Sequence, residues 1–448
     1  MNNFIPGLAF GVLAGNAILT PVALADEQAL HDIAAATSAQ RLEQDIATLA
    51  GFGTRHTLSD TESDTRGIGA ARRWIKAEFD RISADCGGCL EVFYVSDIVS
   101  GTARVPDPVE VVNVIAIQRG SEQPDRFVMM SGDIDSRVSD IMNSTSDSPG
   151  ANDNATGMAG TLEAARVLSQ YSFPGSIIYA GLSGEEQGLN GGAILAAHAR
   201  EHNWDIKAVI NNDMIGNIRG INGVINNTTA RVFSEGTRYV ETEDEARQRR
   251  FQGGEVDSAS RNMARYIDDM ADRYIPNLDV MMVYRLDRFG RGGHHRPFNE
   301  AGFPAVRIME TNENYNWQHQ DIRIEDGIAY GDVLEHVDFD YAAKLTALNA
   351  VTMAAMSWAP APPANVSIRG QVSPDTTLNW DKVSGATHYR LHWRLTTEPQ
   401  WTHSRTVGDV DEFTLQNVVI DNYFFGVSSV SASGVQSPVV FPGPAGAF

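Results

Sequence analysis

Two periods of apolar residues organise the chain. Residues 29–49 place Leu30, Ile33, Ala34, Leu42, Ile46 and Leu49 at roughly helical spacing, which predicts one amphipathic helix. Beyond it, short apolar runs at 111–117, 127–130, 176–182, 208–210 and 305–309 alternate with longer segments. Among the latter, residues 157–171 carry Met158, Leu162, Ala165 and Leu168 along one face. Strand-length runs separated by helix-length segments predict a doubly wound α/β fold, a mainly parallel sheet with helices on both faces. Residues 226–285 are polar and include a dense charge run at 241–250. That run reads as a solvated face, and the whole stretch is expected to decorate the sheet rather than join its core.

Around Trp358 the pattern changes. Ala359-Pro360-Ala361-Pro362-Pro363 makes a short, stiff linker at 358–364. Residues 365–442 are rich in Val, Thr, Ser, Tyr and Trp, with short alternating runs at 377–380, 388–393 and 423–430, which predict an all-β immunoglobulin-like sandwich. Trp380, Tyr389, Tyr423 and the ending Ser431-Ala432-Ser433-Gly434 resemble a fibronectin type III domain. The sandwich holds no cluster of candidate ligands, so it is expected to be dispensable for chemistry.

Composition narrows the function. A formal net charge of −22 over 448 residues excludes nucleic acid as a partner, because no basic surface is available to neutralise phosphates. It suits a solvated exterior and attraction for cationic ligands. Residues 4–24 are apolar and uncharged, and Val22-Ala23-Leu24-Ala25 ends in a small-x-small pattern, which predicts an export leader at 1–25 and a periplasmic or extracellular protein. A membrane anchor is the competing reading, but Pro6, Pro21 and Asn16 interrupt the span. After leader removal no membrane association is expected, and residues 26–357 form the main domain. In an oxidising compartment, Cys86 and Cys89 are expected to close a local disulfide.

The acids fall at informative places. The run at 127–130 leads into Ser131-Gly132-Asp133-Ile134-Asp135, the run at 176–182 into Ser183-Gly184-Glu185-Glu186, and the run at 208–210 into Asn211-Asn212-Asp213. Asp153 stands just ahead of a predicted helix, and the run at 305–309 leads through a loop to His319. Any one of these has an ordinary explanation, since Asp is common at strand ends and helix caps. Together they converge on the carboxyl edge of the predicted sheet, where open parallel sheets bind ligands. Packed carboxylates repel unless cations neutralise them, which points to a pair of divalent metals.

These residues resemble metallopeptidase family twenty-eight, the co-catalytic zinc exopeptidases that include secreted bacterial aminopeptidases and glutamate carboxypeptidase. The resemblance runs from about Leu49 to Ala350. It is carried by PGANDNATG at 149–157, SGEEQGL at 183–189 and NNDMIG at 211–216. It implies two metal ions, zinc foremost, with Asp153 bridging, Glu186 and His319 completing one site, and Asp133 and Asp213 the other. It further implies Glu185 as general base, Asp135 as the group orienting a metal ligand, and peptides as substrates. Two cations about 3.5–4 Å apart can share and acidify a water and polarise a scissile carbonyl.

The family has His where this chain has Asp133. An all-oxygen second site is expected to accept manganese, cobalt or magnesium more readily. His294 and His295, in a stretch where the family often has Asp-His, read as pocket wall or structure rather than ligands. The nearby Arg285, Arg288, Arg291 and Arg296 are expected to pair with surface acids; a pocket for a substrate carboxylate is the sharper reading. Besides aminopeptidase, carboxypeptidase, glutaminyl cyclase and non-catalytic metal-binding or adhesion roles remain open. The leader makes one outcome specific: exported material should begin at Asp26, and N-terminal sequencing that finds Met1 retained would mean an anchor instead.

Overall fold

The computed structural model describes the backbone of residues 21–448 and side chains from residue 26 onward. The predicted leader therefore falls outside the described side chains. No helix among the described residues is long and apolar enough to cross a membrane. Helices α1 (Pro21–Ala36), α2 (Ala39–Gly51) and α3 (Gly67–Asp85) precede strands β1 (Leu90–Val99), β2 (Val109–Gln118) and β3 (Gln123–Asp133). The expected single helix over 29–49 is thus two. Ser38 breaks it, its hydroxyl accepting from the Arg41 N–H at 3.2 Å to cap α2, a bond that competes with continued helix. Between α3 and β1 the expected Cys86–Cys89 disulfide is present.

The chain continues through α4 (Gly157–Leu168), β4 (Gly175–Leu182), α5 (Asn190–Glu201), β5 (Asp205–Asn212) and β6 (Thr229–Ser234). Then come α6 (Glu243–Gln252), α7 (Ala259–Tyr274), β7 (Asp279–Val283), α8 (His295–Glu300) and β8 (Ala305–Glu310). A small hairpin, β9 (Arg323–Glu325) and β10 (Ile328–Tyr330), leads to the long helix α9 (Phe339–Trp358). One eight-stranded sheet takes the order β1-β2-β4-β3-β5-β8-β6-β7. Its centre, β4-β3-β5-β8, is parallel. β2 joins β4, and β6 joins β8, antiparallel.

Side chains alternate across this sheet. Val128 and Met130 of β3 pack with Leu162 of α4 and Leu345 of α9, whereas Phe127 and Met129 pack with Leu195 of α5 and Phe298 of α8. A strand covered on both faces has no polar side, so it reads as a continuous apolar run. The stretch 226–285 departs from expectation. β6 and β7 extend the sheet, and Met263, Ile267, Met270 and Tyr274 of α7 enter the main core. Only α6, which covers most of the charge run, is without buried residues. The dense charge of α6 obscured the helical spacing that follows it.

After α9 the chain forms two three-stranded antiparallel sheets around a shared apolar core that includes Leu378, Trp380, Tyr389, Leu391 and Phe425. The connection is held at both ends. Arg126 donates to the carbonyls of Met356, Ser357 and Ala359 at 3.0–3.2 Å, capping the C-terminus of α9. The Ser429 hydroxyl donates to the carbonyl of Ala361 at 2.7 Å. Farther on, Asp257 is wholly buried between Arg265, 2.9 Å away, and Arg394, 2.8 Å away. Trp401 Nε1 donates to Asn262 at 3.2 Å, and Tyr266 Oη to the carbonyl of Gln436 at 2.9 Å. The C-terminal segment is therefore docked on α7.

Removing one partner of a buried ionic group strands the others. Asp257→Ala should destabilise the protein by about 3–5 kcal/mol, measured by chemical denaturation, while a loss below about 1 kcal/mol would show that Arg265 and Arg394 find other partners.

Candidate metal centre

β3, β4 and β5 end side by side, with Asp133 in register with Leu182 and Gly132 with Asn212. The loops beyond them therefore open onto one crevice, the usual ligand position in an open parallel sheet. Asp133 closes β3, Glu185 and Glu186 follow β4, and Asp213 follows β5. Asp153 comes from an irregular helical turn, Ala151–Thr156, ahead of α4. His319 lies in the loop between β8 and β9. Arg55, fully buried, gathers the loops by donating to the carbonyls of Ile134 and Gly150 at 2.8 and 2.9 Å.

Three predicted ligands meet. His319 Nε2 stands 2.8 Å from Asp153 Oδ2 and 2.8 Å from Glu186 Oε1. Each separation is of hydrogen-bond length, shorter than the ~3.3 Å between donors around a tetrahedral ion with ~2.0 Å bonds, and one nitrogen with two carboxylates is a donor set that suits zinc. Asp153 is fixed from behind: Asp332 accepts the N–H groups of Asn152 and Asp153 at 2.8 and 2.7 Å. Arg137 donates to Glu186 Oε2 at 2.7 Å and lies 2.6 Å from His319 Nδ1. His319 and Met214, the residue after Asp213, hold positive φ angles of 55° and 62°. Non-glycine residues take that conformation at a cost, and such residues cluster at functional sites.

Asp133 and Asp213 border this group but take other partners. Asp133 Oδ2 accepts from Asn154 at 2.7 Å, and Oδ1 lies 2.6 Å from His294 Nδ1. Asp213 Oδ2 is 2.7 Å from Arg307 Nη2. Among the described residues, ligand atoms gather within 4.8 Å at Asp153, Glu186 and His319, and at a separate trio, Asp268, Asp272 and Asp279. Asp135 orients a ligand through the main chain: its carboxylate accepts the N–H groups of Glu185 and Glu186, each at 3.1 Å. Glu185 and Glu186 are thereby both anchored beside the triad.

The site is short of positive charge. Burial pushes Asp133 and Asp213 up to about 7 and Asp135 to about 6. Burial, then the charges of Glu186, Asp213, Asp133 and Asp153, drives Glu185 well above the carboxylate range. At Asp153 and Glu186 burial is outweighed by His319, which holds both below their usual values. His319 rises to about 9, burial yielding to Glu186 and Asp153. Carboxylates that can be charged together only beside a cation define a cation site.

Of the four arginines in the basic cluster, Arg288 and Arg291 pair with the buried Glu313 rather than with a surface acid. Arg307 bridges Asp213 and Asp287, and Arg288 and Arg291 converge with Arg231 on Glu313. Arg296 pairs with Glu300, and Arg285 lies over the Phe289 ring. His294, read from sequence as pocket wall or structure, is bonded to the predicted ligand Asp133. Asn154 lay inside a quoted motif. Arg137, Asp332 and Arg307 had no local signal, because only the fold brings them to the site.

A nitrogen–carboxylate triad at the carboxyl edge of a parallel sheet marks a metallohydrolase. The model of peptidase family M28 matches residues 113–331. A probable zinc metalloprotease of Leptosphaeria maculans is 42% identical over 423 residues, spanning 94% of this chain and 98% of that protein. Another, of Pyricularia oryzae, is 41% identical over 90% of this chain and 82% of its own. In fold the chain is similar to the aminopeptidase LapA of Legionella pneumophila, with a TM-score of 0.53 at 18% identity, over 74% of this chain and 75% of that one. The chain belongs to peptidase family M28, and is a metallopeptidase.

An ion bound only by the folded state stabilises it by roughly 2.7 kcal/mol at a hundred times its dissociation constant. Zinc added to metal-free protein should raise the melting temperature, and His319→Ala should abolish most of that rise. An undiminished rise in a thermal-shift measurement would place the tight site elsewhere.

Proposed function

We propose that the chain is an exported dinuclear zinc exopeptidase, an aminopeptidase, with a fibronectin type III-like sandwich at its C-terminus. Domain limits of 26–357, 358–364 and 365–442 accompany that reading. The observation that carries it is the clamp of Asp135 on two successive amides. It fixes both glutamates, and His319 and Arg137 then take the Glu186 carboxylate, whereas among the described residues none bonds to that of Glu185. Such a division is what metal-assisted hydrolysis needs from adjacent glutamates.

Asp153, Glu186 and His319 would hold one ion. Asp153 and Asp213, with the Asp133–His294 pair, would hold the second. The ions supply polarisation of the scissile carbonyl and acidification of the attacking water. Glu185 takes the proton from that water and returns it to the leaving amine. Asp332 keeps Asp153 in place, and Arg137 braces Glu186. Support for the amino-terminal preference comes from the acidic crevice, which attracts a peptide's cationic terminus, and from the likeness in fold to an aminopeptidase.

Glu185→Gln should keep its metal content and lose about 10²–10⁴-fold in turnover on aminoacyl chromogenic substrates. Glu186→Gln should lose metal instead. Equal metal loss in both variants would reject the division of roles. Turnover of acyl-dipeptides in preference to aminoacyl substrates would make the enzyme a carboxypeptidase.

A further inference from the structure

His294 is completely buried, and its ring is bonded on one side only. Nδ1 lies 2.6 Å from Asp133 Oδ1. With Asp133 ionised, as it would be beside a cation, its carboxylate accepts and cannot donate, so Nδ1 carries the hydrogen and Nε2 presents a lone pair. Among the described residues that Nε2 has no hydrogen-bond partner. Leaving such an atom unsatisfied costs about 1–3 kcal/mol, and buried polar groups are rarely left so.

The ring is also held in place. A Cβ on Gly192 in α5 would come within 2.8 Å of His294 Cδ2, so the helix packs directly against the imidazole and glycine makes the room. Asp135, Asp213 and Glu186 are near enough to act on the ring electrostatically. A neutral imidazole fixed by a carboxylate at one nitrogen, with the other bare among acids, is the arrangement of a metal-ligating histidine and its orienting partner.

We propose that His294 Nε2 supplies the nitrogen ligand of the second metal position, and that Asp133 orients this imidazole instead of ligating. The proposal rests on the dinuclear reading above and changes its chemistry. His294, Asp153 and Asp213 are not among the trios whose ligand atoms gather within 4.8 Å; closed on one ion they would give a mixed nitrogen and oxygen set, which favours zinc over the harder cations expected of an all-carboxylate site. Asp213 is shared: its Oδ2 is held by Arg307, so loading the second position competes with that ion pair.

The test is zinc titration of metal-free protein by calorimetry, with metal content after dialysis and the visible spectrum of the cobalt form as independent readouts. The wild type should show two events, the weaker at the second position. His294→Ala should lose the weaker event and keep the stronger. Asp133→Asn should retain both, with the weaker reduced about 10–100-fold, as when an orienting group is removed. The exchanged double variant, Asp133→His with His294→Asp, should recover the second event and so separates loss of a ligand from loss of fold. Two unchanged events in His294→Ala, or a single event in the wild type, would overturn the proposal. A wild type with one ion that still cleaves aminoacyl substrates would leave the exopeptidase reading standing, whereas a wild type with two ions and no turnover would reject only that reading.

Discussion

Carboxylates buried together must be compensated, and the catalytic half of this protein is arranged around that requirement. The parallel strands β3, β4 and β5 deliver Asp133, Glu186 and Asp213 to one edge, and the turn before α4 adds Asp153. Protein cations meet part of the demand: Arg307 serves Asp213, Arg137 serves Glu186, and His319 lies between Asp153 and Glu186. The raised proton affinities of Asp133, Asp135, Asp213 and Glu185 measure what is left over. Metal ions answer that remainder, which is why the same residues that would be a liability in an ordinary core serve as a binding site.

The parts of this design that were legible in the sequence are those with local signatures. The five apolar runs are strands because a doubly covered strand has no polar face to show, and the acids could be ordered along one edge once the strands were known. Asp153, Glu186 and His319 meet as anticipated. Legibility failed where an adjacent feature was louder: the charges of α6 masked the apolar period of α7, and the helical spacing of 29–49 hid the break at Ser38. It also failed for partners distant in sequence. Nothing near Asp332 reveals that it will hold the amide of Asp153, and nothing near Arg307 reveals Asp213.

His294 belongs to a third kind. Its residue type was noticed, yet its role depended on a contact with Asp133 far away in the chain. Position 133 lacks the imidazole that its motif leads one to expect, and the fold returns an imidazole to the same place from the loop before α8. A departure from a motif at one position is therefore best weighed against what the tertiary structure brings beside it.

The burial of Asp257 between Arg265 and Arg394 bears on how the molecule is made. During synthesis residue 257 emerges well before residue 394. Asp257 and Arg265 already make a neutral pair, whereas Arg394 can enter its buried position only by meeting that carboxylate. The dependence therefore runs from the later segment to the earlier one, in keeping with domains folding in order of emergence. The segment made last thus docks by handing an arginine to a carboxylate that the segment made first has already set in place.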